Sequence, residues 1–182
     1  MRIIGGEYGG RKLTPLLGRD IRPTTDRMRE TIFNILRHSS IDLEGATILD
    51  VFAGTGAMGL EALSHGAAHA TFFDNDPKSR QILKKNISLL GVRNKVSVKN
   101  VSAPTLPATD KQYDIVFLDP PYHLDVINST LSALREKRYL ANNCIIIAEH
   151  SSVNTLAYPD YFIATKEKTY GDARVIFLEK IF

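Results

Sequence analysis

The sequence contains no tryptophan and a single cysteine, Cys144, in 182 residues. One cysteine excludes an intrachain disulfide, so nothing argues for an oxidising compartment, and a reducing, cytoplasmic setting fits best. Cys144 lies in the apolar run 144–148 and reads as a buried strand residue rather than a nucleophile or ligand. No apolar run approaches the ~20 residues that span a bilayer. The start, Met1-Arg2-Ile3-Ile4-Gly5-Gly6, has no signal-peptide hydrophobic segment. Internal repeats and low-complexity tracts are absent. His38, His65, His69, His123 and His150 have no metal-ligand spacing with Cys144 or with paired acids, so no metal is expected.

What is present has the composition of one globular domain, with 43% apolar and 24% charged residues. The net charge of +3 is unevenly placed: residues 1–38 carry eight Arg or Lys against four acids, whereas the remainder sums to −1. A basic arm ahead of a near-neutral body suggests a polyanionic partner, although a solvated glycine-rich terminus gives the same count.

The stretch Ile48 to Leu63 organises the rest. A β-branched and aromatic run, Thr47 to Phe52, reads as a buried strand; Gly54, Gly56 and Gly59 make a turn; Ala57 to Leu63 has helix formers at helical spacing. Strand, glycine turn and helix let a nucleotide-type ligand lie against main chain, because a β-carbon would hold it off. Asp74 ends the next apolar run about 20 residues after Gly54, where an acid that binds a ribose is expected.

The remaining chain alternates. Thr24, Thr25 or Asp26 caps a helix with an apolar stripe of Met28, Ile32, Ile35 and Leu36, leaving Arg22, Arg27 and Arg29 off the stripe near an end unfavourable for cations, where pairing with Asp26 and Glu30 is the competing reading. Strands are expected at 70–74, 95–99, 113–118 and 144–149, helices at 77–90 and 126–138, and a terminal hairpin from 161–165 and 174–181 around Tyr170-Gly171-Asp172. The expectation is a Rossmann-like α/β domain, 1–182, with a basic arm (1–22), an N-terminal helix (23–38) and a core (47–182).

The fourth strand runs into Asp119-Pro120-Pro121-Tyr122. In an open α/β sheet the carboxyl ends of strands one and four meet at the switch point, which puts this tetrapeptide beside the glycine turn. Pro120 and Pro121 stiffen it and offer acceptors only. Asp119 and the Pro120 carbonyl can accept both hydrogens of an amino group, and Tyr122 offers a face for a planar base. A plain strand-to-loop turn is the competing reading.

Asp50-Val51-Phe52-Ala53-Gly54-Thr55-Gly56 together with Asp119-Pro120-Pro121-Tyr122 resembles a class I S-adenosyl-L-methionine-dependent methyltransferase acting on an exocyclic amino group. Arg2 to Gly6, Gly10 to Leu13, Arg22 to Leu36, Glu149-His150-Ser151 and Tyr170-Gly171-Asp172 extend the likeness over essentially the whole chain. They resemble the RsmD family of bacterial guanine-N2 methyltransferases of small-subunit ribosomal RNA. Ile35 stands where that family often has tryptophan. The resemblance implies a seven-stranded, mostly parallel sheet with an antiparallel C-terminal hairpin. It also implies S-adenosyl-L-methionine as cofactor and the small-subunit ribosomal RNA or assembling 30S subunit as partner, with no membrane role; a monomer is expected. Asp119, Pro120, Pro121 and Tyr122 are then catalytic. Asp50, Phe52, Gly54, Thr55, Gly56, Gly59, Asp74, Asn75 and Asp119 hold the cofactor, with Asn100 or Val101 near the adenine because 98–102 lacks an acid. Arg2, Arg11, Lys12, Arg22, Arg27 and Arg29 contact RNA. A nicotinamide dehydrogenase leaves the Asp-Pro-Pro-Tyr segment unexplained. Glutamine-amide methylation usually has Asn in place of Asp119 and a helical N-terminal domain. DNA adenine methylation lacks a visible target-recognition insert, and a non-catalytic RNA-binding protein has no use for Asp119, Tyr122 and the glycines.

Overall fold

The computed structural model describes residues 1–16, 25–121, 126–153 and 155–181. In chain order it contains α1 (Asp26–Leu36), β1 (Thr47–Val51), α2 (Ala57–Ser64), β2 (His69–Phe73), α3 (Pro77–Leu90), β3 (Val96–Lys99), β4 (Tyr113–Leu118), α4 (Ile127–Glu136), β5 (Leu140–Ser151), β6 (Phe162–Tyr170) and β7 (Ala173–Lys180). The strands form a seven-stranded sheet in the order β3-β2-β1-β4-β5-β7-β6. β1 runs parallel to both β2 and β4, so the winding direction reverses between β1 and β4. β7 is antiparallel to β5 and β6, giving the expected mixed sheet with a terminal hairpin.

Strand alternation sorts the core into two layers. Ile48, Ile115, Phe117 and Ile147 point to the face covered by α1, α2 and α3, and Leu49, Val51, Val116 and Ile146 to the face covered by α4. Burial on both sides explains why the central strands read as unbroken apolar runs. Local chemistry sets the helix ends. Thr25 accepts the N–H of Met28 at 3.2 Å to start α1. Asp76 accepts the N–H of Ser79 at 2.7 Å, Pro77 follows, and Gly91 closes α3 in the left-handed region at φ +75°. α1 is shorter than the expected 23–38, and residues 23 and 24 lie outside the described segments.

The N-terminal residues fold back on themselves through an antiparallel bridge between Arg2 and Lys12 and lie against α2 and α3. Ile3, Tyr8 and Leu13 are buried there as part of the core.

Candidate functional site

The turn after β1 opens with Phe52 at φ +68°, a left-handed conformation for a residue with a β-carbon. Gly54 follows at φ +55°, and among the described residues, its chain neighbours aside, only the Phe52 carbonyl oxygen comes within 4 Å of the place a Cβ would take, at 3.9 Å. That side of Gly54 is open, which is what main-chain contact with a ligand requires. Gly59 serves packing instead, because a Cβ there would meet Phe72 Cε1 at 2.4 Å.

Two carboxylates hold this turn. Asp74 Oδ2 accepts the N–H of Gly54 at 2.8 Å and its Oδ1 accepts the N–H of Asp76 at 2.8 Å. Burial raises the Asp74 pKa above the ordinary carboxylate range, against those two hydrogen bonds. Asp50 Oδ2 accepts the N–H of Gly59 at 3.0 Å. Asp50 is almost fully buried, and desolvation pushes its pKa up to about 8. It supports the turn through this bond to Gly59. At the same rim, Asn75 Nδ2 donates to Ser102 Oγ at 3.1 Å, and Asn100 Oδ1 accepts from Arg80 at 3.0 Å. Val101 packs against the α4-side core.

β4 brings the second group of residues to this turn. Val51 of β1 pairs with Leu118 of β4, so Asp119 and Pro120 begin one residue beyond that pair. Tyr122 lies outside the described residues. An open cleft of about 230 Å³, mouth included, borders Asp119 on the α1/α2 side of the sheet; Ile32, Met58, Phe117 and Val175 line it together with Glu149.

The basic residues divide. Arg2, Arg11, Lys12 and Arg27 are exposed, with Arg11 lying 5.2 Å from the Tyr8 ring centroid and Arg22 outside the described residues. Arg29 is not a surface residue. It is 1% exposed, and its Nη2 donates to the Arg2 carbonyl at 2.7 Å and to Asp26 Oδ1 at 2.7 Å. It lies on the buried face with Met28, Ile32 and Phe33, so the expectation that it meets RNA is corrected: it fastens α1 to the N-terminal segment.

Three unforeseen residues complete that fastening. Glu61, fully buried in α2, accepts the N–H of Ile4 at 2.8 Å and of Gly5 at 2.9 Å. Ser64 Oγ accepts the N–H of Tyr8 at 2.9 Å and donates to the Gly5 carbonyl. Asn86 of α3 accepts the N–H of Thr14 at 2.7 Å and donates to the Thr55 carbonyl at 3.0 Å, so it bridges the N-terminal segment and the glycine turn. A lone acid inside the otherwise apolar helix 57–64 was the available signal. A further basic surface also escaped the charge count: residues 77–99 hold seven Lys or Arg and no acid, and Lys78, Lys84, Lys85, Arg93 and Lys99 are exposed.

Comparisons with known proteins place the chain among relatives. A model of the family described as "Conserved hypothetical protein 95" matches residues 1–179. The chain is 39% identical over 172 residues to "Ribosomal RNA small subunit methyltransferase D" of Escherichia coli K12, covering 94% of this chain and 85% of that one. It is 35% identical over 185 residues to "Putative rRNA methyltransferase YlbH" of Bacillus subtilis, with 99% of both chains covered. Among solved structures, "Putative methyltransferase yhhF from Escherichia coli" superposes with a TM-score of 0.85 at 36% identity, covering 99% of this chain and 97% of that one.

Proposed function

The chain belongs to the conserved hypothetical protein 95 family, which includes ribosomal RNA small subunit methyltransferase D, and from that premise we propose that it methylates the exocyclic N2 amino group of a guanine in small-subunit ribosomal RNA, using S-adenosyl-L-methionine. The observation that carries the reading is the position of Asp119, one residue past the Val51–Leu118 pair and beside the glycine turn, in a chain related to such enzymes over nearly its whole length.

The residues present suit the cofactor. The open side of Gly54 lets an adenosine-type ligand approach main chain, and Asp74, already bonded to Gly54, carries lone pairs for a ribose. Asn100 and Val101 stand at the end of β3 for the adenine. Bound there, S-adenosyl-L-methionine supplies a methyl group already activated by the sulfonium.

The protein's part is to hold and orient the acceptor. Asp119 and the Pro120 carbonyl accept the two N2 hydrogens, which draws the nitrogen lone pair out of conjugation and aims it along the transfer axis. No strong base is needed beforehand, because the N2 proton becomes acidic only as the C–N bond forms, and Asp119 disperses the positive charge at that moment. Tyr122 stacks on the base. Arg2, Arg11, Lys12, Arg22 and Arg27, joined by the exposed cations of residues 77–99, contact phosphates.

Mass spectrometry of small-subunit ribosomal RNA from a strain lacking the gene tests the proposal. The expected result is the loss of one N2-methylguanosine, restored by purified protein and not by Asp119→Ala protein that still binds S-adenosylhomocysteine. An unchanged guanine pattern, or methyl transfer to a protein amide or DNA adenine instead, overturns it.

A further inference from the structure

The cleft beside Asp119 contains a second carboxylate that transfer of the methyl group does not require. Leu118 of β4 pairs in parallel register with Ala148 of β5, so Asp119 and Glu149 are the next residues along neighbouring strands. Neighbouring strands lie about 5 Å apart. Both side chains line the same cleft, whose other walls (Ile32, Met58, Phe117, Ile147 and Val175) are apolar, and Glu149 is only 8% exposed. An apolar cleft that carries two carboxylates on neighbouring strands suits a flat ring that presents two adjacent N–H donors.

Among nucleobases, guanine presents that edge: its Watson–Crick side carries N1–H beside the N2 amino group, whereas adenine has a bare N1 acceptor there. Resting on the guanine reading above, we infer that Glu149 accepts the guanine N1–H while Asp119 holds the amino group, so that Glu149 selects the base and Asp119 presents its nitrogen. A purine without N1–H brings its own lone pair against the Glu149 carboxylate, and a site built to hydrogen-bond a donor rejects analogues lacking it. Glu149 is thus a specificity-determining residue of the acceptor pocket.

The test uses a ribosomal RNA fragment carrying the accepting guanine, and the same fragment with 2-aminopurine at that position. 2-Aminopurine keeps the 2-amino group and lacks N1–H. Wild-type protein should prefer guanine in kcat/KM. In Glu149→Gln the neutral amide accepts from N1–H or donates to a bare N1, so the preference should fall by roughly 10- to 100-fold, with S-adenosylhomocysteine affinity within about twofold of wild type. Glu149→Asp retains the carboxylate and should retain the direction of the preference. A Glu149→Gln protein with the wild-type guanine to 2-aminopurine ratio would overturn the role of Glu149 and leave the methylation reading standing. A wild-type protein that makes no N2-methylguanine on the unaltered fragment would remove the reading itself. If Glu149→Gln fails to fold, a Glu149→Ala protein that keeps the wild-type guanine to 2-aminopurine ratio is the overturning result.

Discussion

Glu61 Oε2 accepts the main-chain N–H of Ile4 at 2.8 Å, across 57 residues of chain, and Oε1 of the same carboxylate takes the N–H of Gly5. Glu61→Ala removes the acceptor of both partly buried N–H groups and with it two charge-assisted bonds, so the variant should lose about 2–4 kcal/mol of stability. Urea unfolding measures this, and hydrogen exchange at Ile4 and Gly5 should accelerate in step. A midpoint equal to wild type would show that α2 does not need this bond to hold the N-terminal segment.

Asp74→Ala should weaken S-adenosylhomocysteine binding by about 1.5–3 kcal/mol through the loss of one or two charge-assisted hydrogen bonds. Part of that loss is indirect, because Asp74 also accepts the N–H groups of Gly54 and Asp76. Calorimetry reads the sum, and equal affinity in the two proteins would move the ribose contact elsewhere.

Stability should carry the titration of Asp50. Its folded-state pKa of about 8 stands above the ordinary 3.8 because of burial, so the native protein keeps a proton that the unfolded chain releases. The stabilisation is fully present below about pH 4 and is lost as pH rises through 8. Asp50→Asn removes this contribution. Unfolding free energies at pH 5, 6.5 and 8.5 should therefore fall more steeply with pH in wild type than in the variant. His69 and His150, whose pKa values burial lowers, act in the opposite sense but are common to both proteins. Parallel curves would refute the assignment.

RNA affinity should depend on salt through the exposed cations. Each phosphate contact contributes about −0.7 to the slope of log-affinity against log[salt] for a single strand, so Arg11→Ala with Lys12→Ala should flatten it by up to ~1.4. Lys84→Ala with Lys85→Ala should do the same if α3 faces the RNA. Tyr122→Ala should lower affinity and leave the slope alone, since stacking is largely insensitive to salt. A double mutant at 11 and 12 with the wild-type slope and weakened S-adenosylhomocysteine binding would assign the N-terminal segment to the cofactor side instead.

Which features the sequence made legible follows from their physics. The central strands, the caps of α3 and the pairing of the glycine turn with Asp119 rest on local chemistry and on sheet topology, and these are written in residue order. β5 was expected at 144–149 and spans Leu140–Ser151, because its ladder with β7 continues through the polar His150 and Ser151. Hydropathy does not register main-chain hydrogen bonds. Arg29 escaped for a related reason: a charged side chain on a buried helical face is stabilised by Asp26 and by the Arg2 carbonyl, and the latter partner is distant in sequence. The cations of 77–99 were hidden because pooling charge over 144 residues cancelled them against acids elsewhere.

The outer strand β6 carries Lys166, Glu167 and Lys168 along its exposed stretch and has an irregular register against β7 between Ala164 and Lys166. At the other border, β3 is four residues long and ends on Lys99. Charged side chains, short length and a break in the ladder each hinder the docking of a further strand onto an open sheet. The borders of this sheet therefore resist edge-to-edge growth, so two copies brought close together on one polyanion have little tendency to nucleate fibrils.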